Sequence, residues 1–168
     1  PSGVKTVHEL RLASGRVVKA SANHPFLALE GWFPLEKLDV GDRIAVPRAG
    51  VWPEAVGSSP DPATDTVPRD LWAYVRKVLP NHGLDVGDLA TRLGGQVFVD
   101  EVYGEDLRRE TLAAIAEVVP DPLLRDLARS DVAWDTIVSI TELGDEPVYD
   151  ATVHGTHNFV ADGIVVHK

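Results

Sequence analysis

Six histidines are the richest supply of proton carriers near neutral pH in this sequence. His24 closes the run Ser21-Ala22-Asn23-His24, and His154, His157 and His167 crowd the last stretch, with Asp150 and Asn158 close by in sequence. A convergence of such groups is suited to acid/base work on a bond that needs proton transfer. His8 and His82 stand apart and read as ordinary strand or surface residues. His154-Gly155-Thr156-His157 has two histidines three apart, a spacing that suits a metal on a helix. Here the flanks read as β around a glycine turn and no third ligand is in reach, so no metal site is expected.

Other chemistries lack their residues. With no cysteine, the sequence supplies no disulfide, thiolate zinc site or cysteine nucleophile. There is no Gly-x-Ser-x-Gly elbow and no phosphate-binding Gly-x-x-x-x-Gly-Lys loop. The acid pairs Asp100-Glu101 and Glu105-Asp106 lie near arginines and read as a solvated face.

The elements that must carry these residues fall into a β, helical, β order. Val4 to Ala13 alternates in part, Ser14-Gly15 is a turn dipeptide, and Arg16 to Ala20 returns as the second strand of a hairpin. Gly31, Pro34 and Gly41 cut the next stretch into short pieces, with one helical turn over Leu35-Glu36-Lys37-Leu38 and a strand over Asp42 to Pro47. Residues 49–68, rich in Gly, Ser and Pro, read as a linker. Helix spacing then appears four times: Leu71, Trp72, Val75, Val78 and Leu79; Val86, Leu89, Ala90 and Leu93; Leu112, Ile115, Ala116 and Val119; and Leu123, Leu124, Leu127 and Ala128. Asp85 and Asp121-Pro122 are the N-terminal caps expected of the second and fourth. Thr136 to Thr141 and Val148 to Val153 read as strands. Phe159-Val160 and Ile164 to Val166 form a hairpin through Asp162-Gly163. The expected division is 1–48 and 131–168 as two parts of one sheet domain, 49–68 as linker and 69–130 as helical insert.

At 168 residues and a net charge of −10, the chain has room for one domain with a subdomain. Net charge runs +2 over residues 1–48, −6 over 49–130 and −6 over 131–168. An acidic chain repels phosphate backbones. No apolar run is long enough for a bilayer span, and the N-terminus has no signal-peptide pattern, so a cytoplasmic location is expected.

Three stretches, taken together, resemble a known family. Ser21-Ala22-Asn23-His24-Pro25-Phe26-Leu27 with Gly31-Trp32 and Val40-Gly41-Asp42 is similar to the second signature block of inteins and its sequel. Val148 to Val153, then His157 to His167, resemble the two C-terminal intein blocks. The likeness is strongest to inteins inserted in bacterial replicative DNA helicases, and it covers residues 3–48 and 131–168. It implies a mainly β, horseshoe-like fold of the Hint type with an α-helical insert. It also implies protein splicing: single-turnover, intramolecular peptide-bond rearrangement without metal or cofactor.

The same resemblance assigns roles by position. His24 would hydrogen-bond the scissile amide nitrogen and protonate it as it leaves. Ser21 stands where the family usually has Thr, and Asn23 would hold that loop. Asp150 matches the aspartate that couples the first cleavage to later steps, His157 the histidine that assists C-terminal cleavage, and His167 the penultimate histidine that polarises the final carbonyl. Lys168 occupies the place of the Asn whose side chain cyclises, so C-terminal cleavage is expected to be blocked. The sequence opens at Pro1, after the family's first block. The expected partners are therefore an N-terminal intein segment, covalent or split, and the flanking extein sequences.

The insert shows no homing-endonuclease motif, so no endonuclease activity is expected. Gly83 to Gly94 and Arg109 to Ala116 resemble parts of a helix-turn-helix, as in a remnant of an endonuclease's DNA-recognition part. The intervening Gln96 to Gly104 offers Gln96 among acids, poor equipment for reading bases. The alternatives are a DNA-binding helix-turn-helix protein with a β-rich appendage and an inactive, decayed intein. Trp32, Trp72 and Trp134 read as core, which argues against a plain interaction module; Trp52, in the linker, is the exception.

Overall fold

The computed structural model of the chain describes residues 3–48, 65–94, 105–149, 155 and 157–167. Most of the linker with Trp52, the stretch carrying Gln96, Asp100 and Glu101, and residues 150–153 of the expected Val148 to Val153 strand lie outside them. The chain forms two compact units, residues 1–55 with 134–168 and residues 56–133. Among the described residues no helix is long and apolar enough to cross a membrane.

The first unit is built from two four-stranded sheets. One has the order β2-β1-β8-β5: β1 (Val4–Leu12), β2 (Val17–Ser21), β5 (Arg43–Pro47) and β8 (Val132–Pro147), whose first two residues belong to the second unit. The other has the order β4-β3-β10-β9: β3 (Pro25–Ala28), β4 (Gly31–Pro34), β9 (Asn158–Ala161) and β10 (Ile164–His167). β5 also packs on β3 and β10, so the sheets share a core in which Leu10, Phe26, Ile44, Ile137 and Ile164 are fully enclosed.

The expected β1–β2 hairpin forms, with Leu10 opposite Val18 and Val7 opposite Ser21. β8 is far longer than the Thr136 to Thr141 segment its β-branched composition marks. It pairs with β1 from Leu12↔Ile137 out to Val4↔Pro147 and carries two register shifts, at Val7/His8 and Arg11/Leu12. The surplus residues fall on β8, at Leu143 and Val138, and both are exposed. Bulges of this kind bend a long strand and re-aim its side chains. Trp134 and Ile137 are the buried residues of β8, and both precede the bulges. The outer reach, Glu142 to Pro147, is held by polar cross-strand contacts: the Thr6 hydroxyl donates to Asp145 (2.8 Å), and Lys19 pairs with Glu146 (3.1 Å).

The Asp162-Gly163 turn is as expected. Both residues have positive φ, 50° and 75°, as a two-residue type I′ hairpin requires. A Cβ at Gly163 would also sit 3.0 Å from the Arg16 side chain, a close contact that the flexible arginine would have to yield to. The β3–β4 hairpin, by contrast, lies in the stretch that reads only as short pieces. Leu27 faces Trp32 across it, and each strand has four residues, too few to show alternation.

The second unit contains the four expected helices: α1 (Leu71–Val78), α2 (Val86–Arg92), α3 (Arg109–Val118) and α4 (Pro122–Arg129). Asp85 caps α2 in a reciprocal box with Asp88, and Asp121 caps α4 by accepting from the Leu124 N–H. Leu123 of the fourth stripe is exposed; Leu124 is its buried member. A short ladder between β6 (Thr66–Val67) and β7 (Leu107–Arg108) has no sequence signature.

Its most enclosed polar contact is the Arg109–Asp65 pair, with side chains 5% and 7% exposed. Arg109 Nε donates to Asp65 (2.8 Å), Nη1 to the Leu127 carbonyl (2.7 Å) and Nη2 to the Val132 carbonyl (2.7 Å). Arg109→Met leaves the Asp65 carboxylate enclosed without its guanidinium, and removing one partner of a buried pair costs about 3–5 kcal/mol. Urea denaturation is expected to show that loss, and adding Asp65→Asn is expected to recover part of it.

Tyr74 donates to both Asp121 oxygens (3.1 and 2.9 Å). Burial, then the hydrogen bond and the carboxylate's charge, hold its phenol above the ordinary tyrosine range. The fold thus favours the neutral phenol. That contribution is complete below the ordinary value and is lost as pH rises through the raised one. Ultraviolet titration is expected to show a phenol ionising late, and Tyr74→Phe to abolish that transition.

Candidate functional site

β2 ends at Ser21 and β3 begins at Pro25, and the three residues between them form a tight loop. The His24 N–H donates to the Ser21 carbonyl, the Leu35 N–H to the His24 carbonyl, and the Glu36 N–H to the Ala22 carbonyl, each at 2.9 Å. The 3₁₀ turn Leu35–Lys37, with Leu35 buried, therefore serves as the loop's backing. The Ser21 hydroxyl donates to Asn23 Oδ1 (2.8 Å), so these two side chains brace one another. The His24 ring stands edge-on to Phe26, with centroids 5.3 Å apart, and Phe26 is fully buried.

β10 lies directly beside β3, with Val166 opposite Phe26. That pairing delivers His167 to the same place. A cleft of about 620 Å³ is lined by Ser21, Asn23 and His24 on one side and by Phe159, Val166 and His167 on the other. Lys19 and Glu146, the ion pair on the outer ribbon, also line it, as does Lys5.

His157 does not line the cleft but stands behind His167. Its carbonyl accepts from His167 Nδ1 (2.9 Å), and the two rings lie 6.3 Å apart at 69°. His157 has φ of +58°, an uncommon backbone state for a residue other than glycine. Trp32 is half-buried rather than core, and its indole lies 4.9 Å from the His167 imidazole at a 41° tilt.

Ser21, Asn23, His24 and His167 thus meet at one cleft, with His157 adjoining. Asp150, Lys168 and His154 lie outside the described residues. His8 is elsewhere: it sits on β1, with Nε2 3.8 Å from Glu142. His82 ends a 3₁₀ turn in the second unit, and Asp106 accepts from the Arg69 N–H at 3.0 Å. Sequence reasoning missed Trp32 as a neighbour of His167 and the Lys19–Glu146 pair. Only the position of Trp32 within the Gly31-Trp32 motif could have pointed to it.

Known proteins resemble this chain in sequence and in fold. The family model described as the intein splicing domain matches residues 2–168. The replicative DNA helicase DnaB of Synechocystis sp. is 43% identical over 105 residues, which is 62% of this chain and 12% of the helicase. That of Rhodothermus marinus is 37% identical over 130 residues, 77% of this chain and 14% of the helicase. The chain therefore spans only about an eighth of the curated relatives it matches. The crystal structure of a variant of the Ssp DnaB mini-intein aligns with a TM-score of 0.50 at 28% identity, over 99% of this chain and 59% of that one. The fold is the mainly β Hint fold of the mini-inteins. The match runs along nearly the whole chain, and its second and C-terminal motifs meet on paired strands: the chain belongs to the intein splicing-domain family.

Proposed function

We propose that the cleft is one half of a protein-splicing site, carrying the groups that act on both junctions but not the first nucleophile. The observation that carries this reading is the meeting of residues 21–24 with residues 166–167 at one cleft. With no cysteine in the sequence, a thiol nucleophile has to come from another segment. An N-terminal intein segment bearing Cys or Ser is the partner this reading requires, and extein sequences are the flanks that are joined. The likeness to DnaB helicases supports a host of that kind, and a cytoplasmic reaction is part of the same proposal.

In the first step the nucleophile attacks the carbonyl of the preceding residue, and the amide nitrogen must leave. An amide nitrogen is a poor leaving group until it is protonated. His24 supplies that proton, and such help is typically worth roughly 10²–10⁴-fold. The brace between Ser21 and Asn23 keeps the His24 loop in register. At the downstream junction His167 polarises the carbonyl, His157 assists, and Asp150 couples the two ends. Lys168 comes after His167 where the family has Asn. An ammonium on a long stem has no carboxamide to close a succinimide, so the downstream cleavage is blocked. The helical unit, with its acidic balance, is a packed remnant without a DNA-binding role.

The test mixes the chain, extended by a short C-terminal flank that begins with Cys, Ser or Thr to accept the acyl group, with an intein N-terminal segment bearing Cys and its own flank, and monitors intact mass. Lys168→Asn is expected to release the C-terminal flank and yield joined flanks, whereas the parent is expected to stop after the first cleavage. A parent chain that forms a C-terminal succinimide overturns the block. Separately, His24→Ala is expected to slow first-junction cleavage by roughly 10²–10⁴-fold while leaving the circular dichroism unchanged. An unchanged rate removes His24 from the mechanism.

A further inference from the structure

We infer that Trp32 is a positioning residue for His167: its indole and the His157 carbonyl together form a seat that fixes both the orientation and the tautomer of the imidazole. The inference rests on the reading of His167 as the group that acts at the downstream junction.

Two contacts hold the ring, and they come from different parts of the chain. A carbonyl oxygen can only accept, so the 2.9 Å contact to His157 requires the hydrogen on His167 Nδ1. Nε2 is then the nitrogen left for the junction beyond. The hydrogen bond alone leaves the ring able to swing about the bond axis. Trp32 removes that freedom: it comes from β4 and reaches across β3 to lie 4.9 Å from the imidazole at 41°.

The His157 backbone fits the same purpose. Its φ of +58° is a state that costs conformational energy outside glycine and persists where the surroundings enforce it. His157 therefore contributes its carbonyl to the seat, and its ring, 6.3 Å from that of His167, is not what holds the tautomer. Misplacing a reacting group by about 1 Å can cost on the order of 10²-fold, so a lost seat is expected to be visible in rate.

The first test needs no splicing. Nitrogen-15 correlation spectra of the histidine rings in the unaltered chain are expected to show neutral His167 as the Nδ1–H tautomer, with its ring protons shifted by the indole. Trp32→Leu is expected to give a tautomer mixture and abolish the ring-current shift, while Trp32→Phe retains most of the tautomer. His157→Gly, which accepts positive φ, is expected to keep the tautomer, whereas His157→Val, which resists it, loses it. A fixed tautomer in Trp32→Leu overturns the seat and leaves Trp32 as packing alone. An Nε2–H tautomer in the unaltered chain overturns it directly, whether or not the protein splices.

The second test reads rate. In the Lys168→Asn background with the N-terminal segment supplied, Trp32→Leu is expected to slow downstream cleavage by roughly 10–10²-fold, with first-junction cleavage unchanged and Trp32→Phe restoring most of the loss. Equal slowing of both junctions counts against the seat. Absence of any cleavage in the Lys168→Asn parent would defeat the splicing reading while the spectra still decide the seat.

Discussion

Everything at the cleft depends on one strand pairing, β3 beside β10, registered at Phe26 opposite Val166. These residues are separated by nearly the whole chain, so the pairing closes a very large loop. What compensates is burial: Phe26 and Ile164 are fully enclosed and Val166 nearly so, and each such side chain is worth about 1.5–3 kcal/mol in transfer free energy. Their strand neighbours Pro25 and His167 line the cleft, as does Val166 itself. Core and site are thus built on the same two strands, and the packing of one fixes the placement of the other. A slip of one residue would turn every side chain to the opposite face.

The same pairing explains why the site is narrow in its tolerances and the outer ribbon is not. Around the cleft, three backbone hydrogen bonds of 2.9 Å tie the His24 loop into itself and to the 3₁₀ turn behind it. On the ribbon formed by the outer parts of β1 and β8, the contacts are between exposed polar side chains. Exposed ion pairs contribute little and are screened by salt. The ribbon owes its shape to main-chain bonding and to bulges, and its composition reflects this: acids, glycine and proline where an enclosed strand would carry valine and isoleucine.

Much of the fold is legible in the sequence. Helical stripes, caps and two-residue turns are local signals, and the four α-helices among the described residues and both flanking hairpins can be derived from them. The illegible part is non-local. The outer half of β8 carries no strand signal because its side chains meet water. β3 and β4 are too short for a pattern, and the β6–β7 ladder has two residues a side. Of the site, His24 and His167 can be found from the motifs that contain them, because those motifs specify a loop and a strand end. Trp32 reads as core because tryptophan among apolar neighbours usually is. Its place beside His167 depends on strand order, which no stretch of sequence encodes. The carbonyl of His157 is invisible for a simpler reason: every residue has one.

Arg109 has an architectural consequence. Its main chain and guanidinium gather Asp65, near the start of the second unit, and Val132, at its finish. Two points 67 residues apart in sequence, Asp65 and Val132, are therefore held within the span of a single side chain. Closing the segment between them costs an entropy that grows only logarithmically with its length. Residues gained or lost between these two anchors leave the anchors themselves in place.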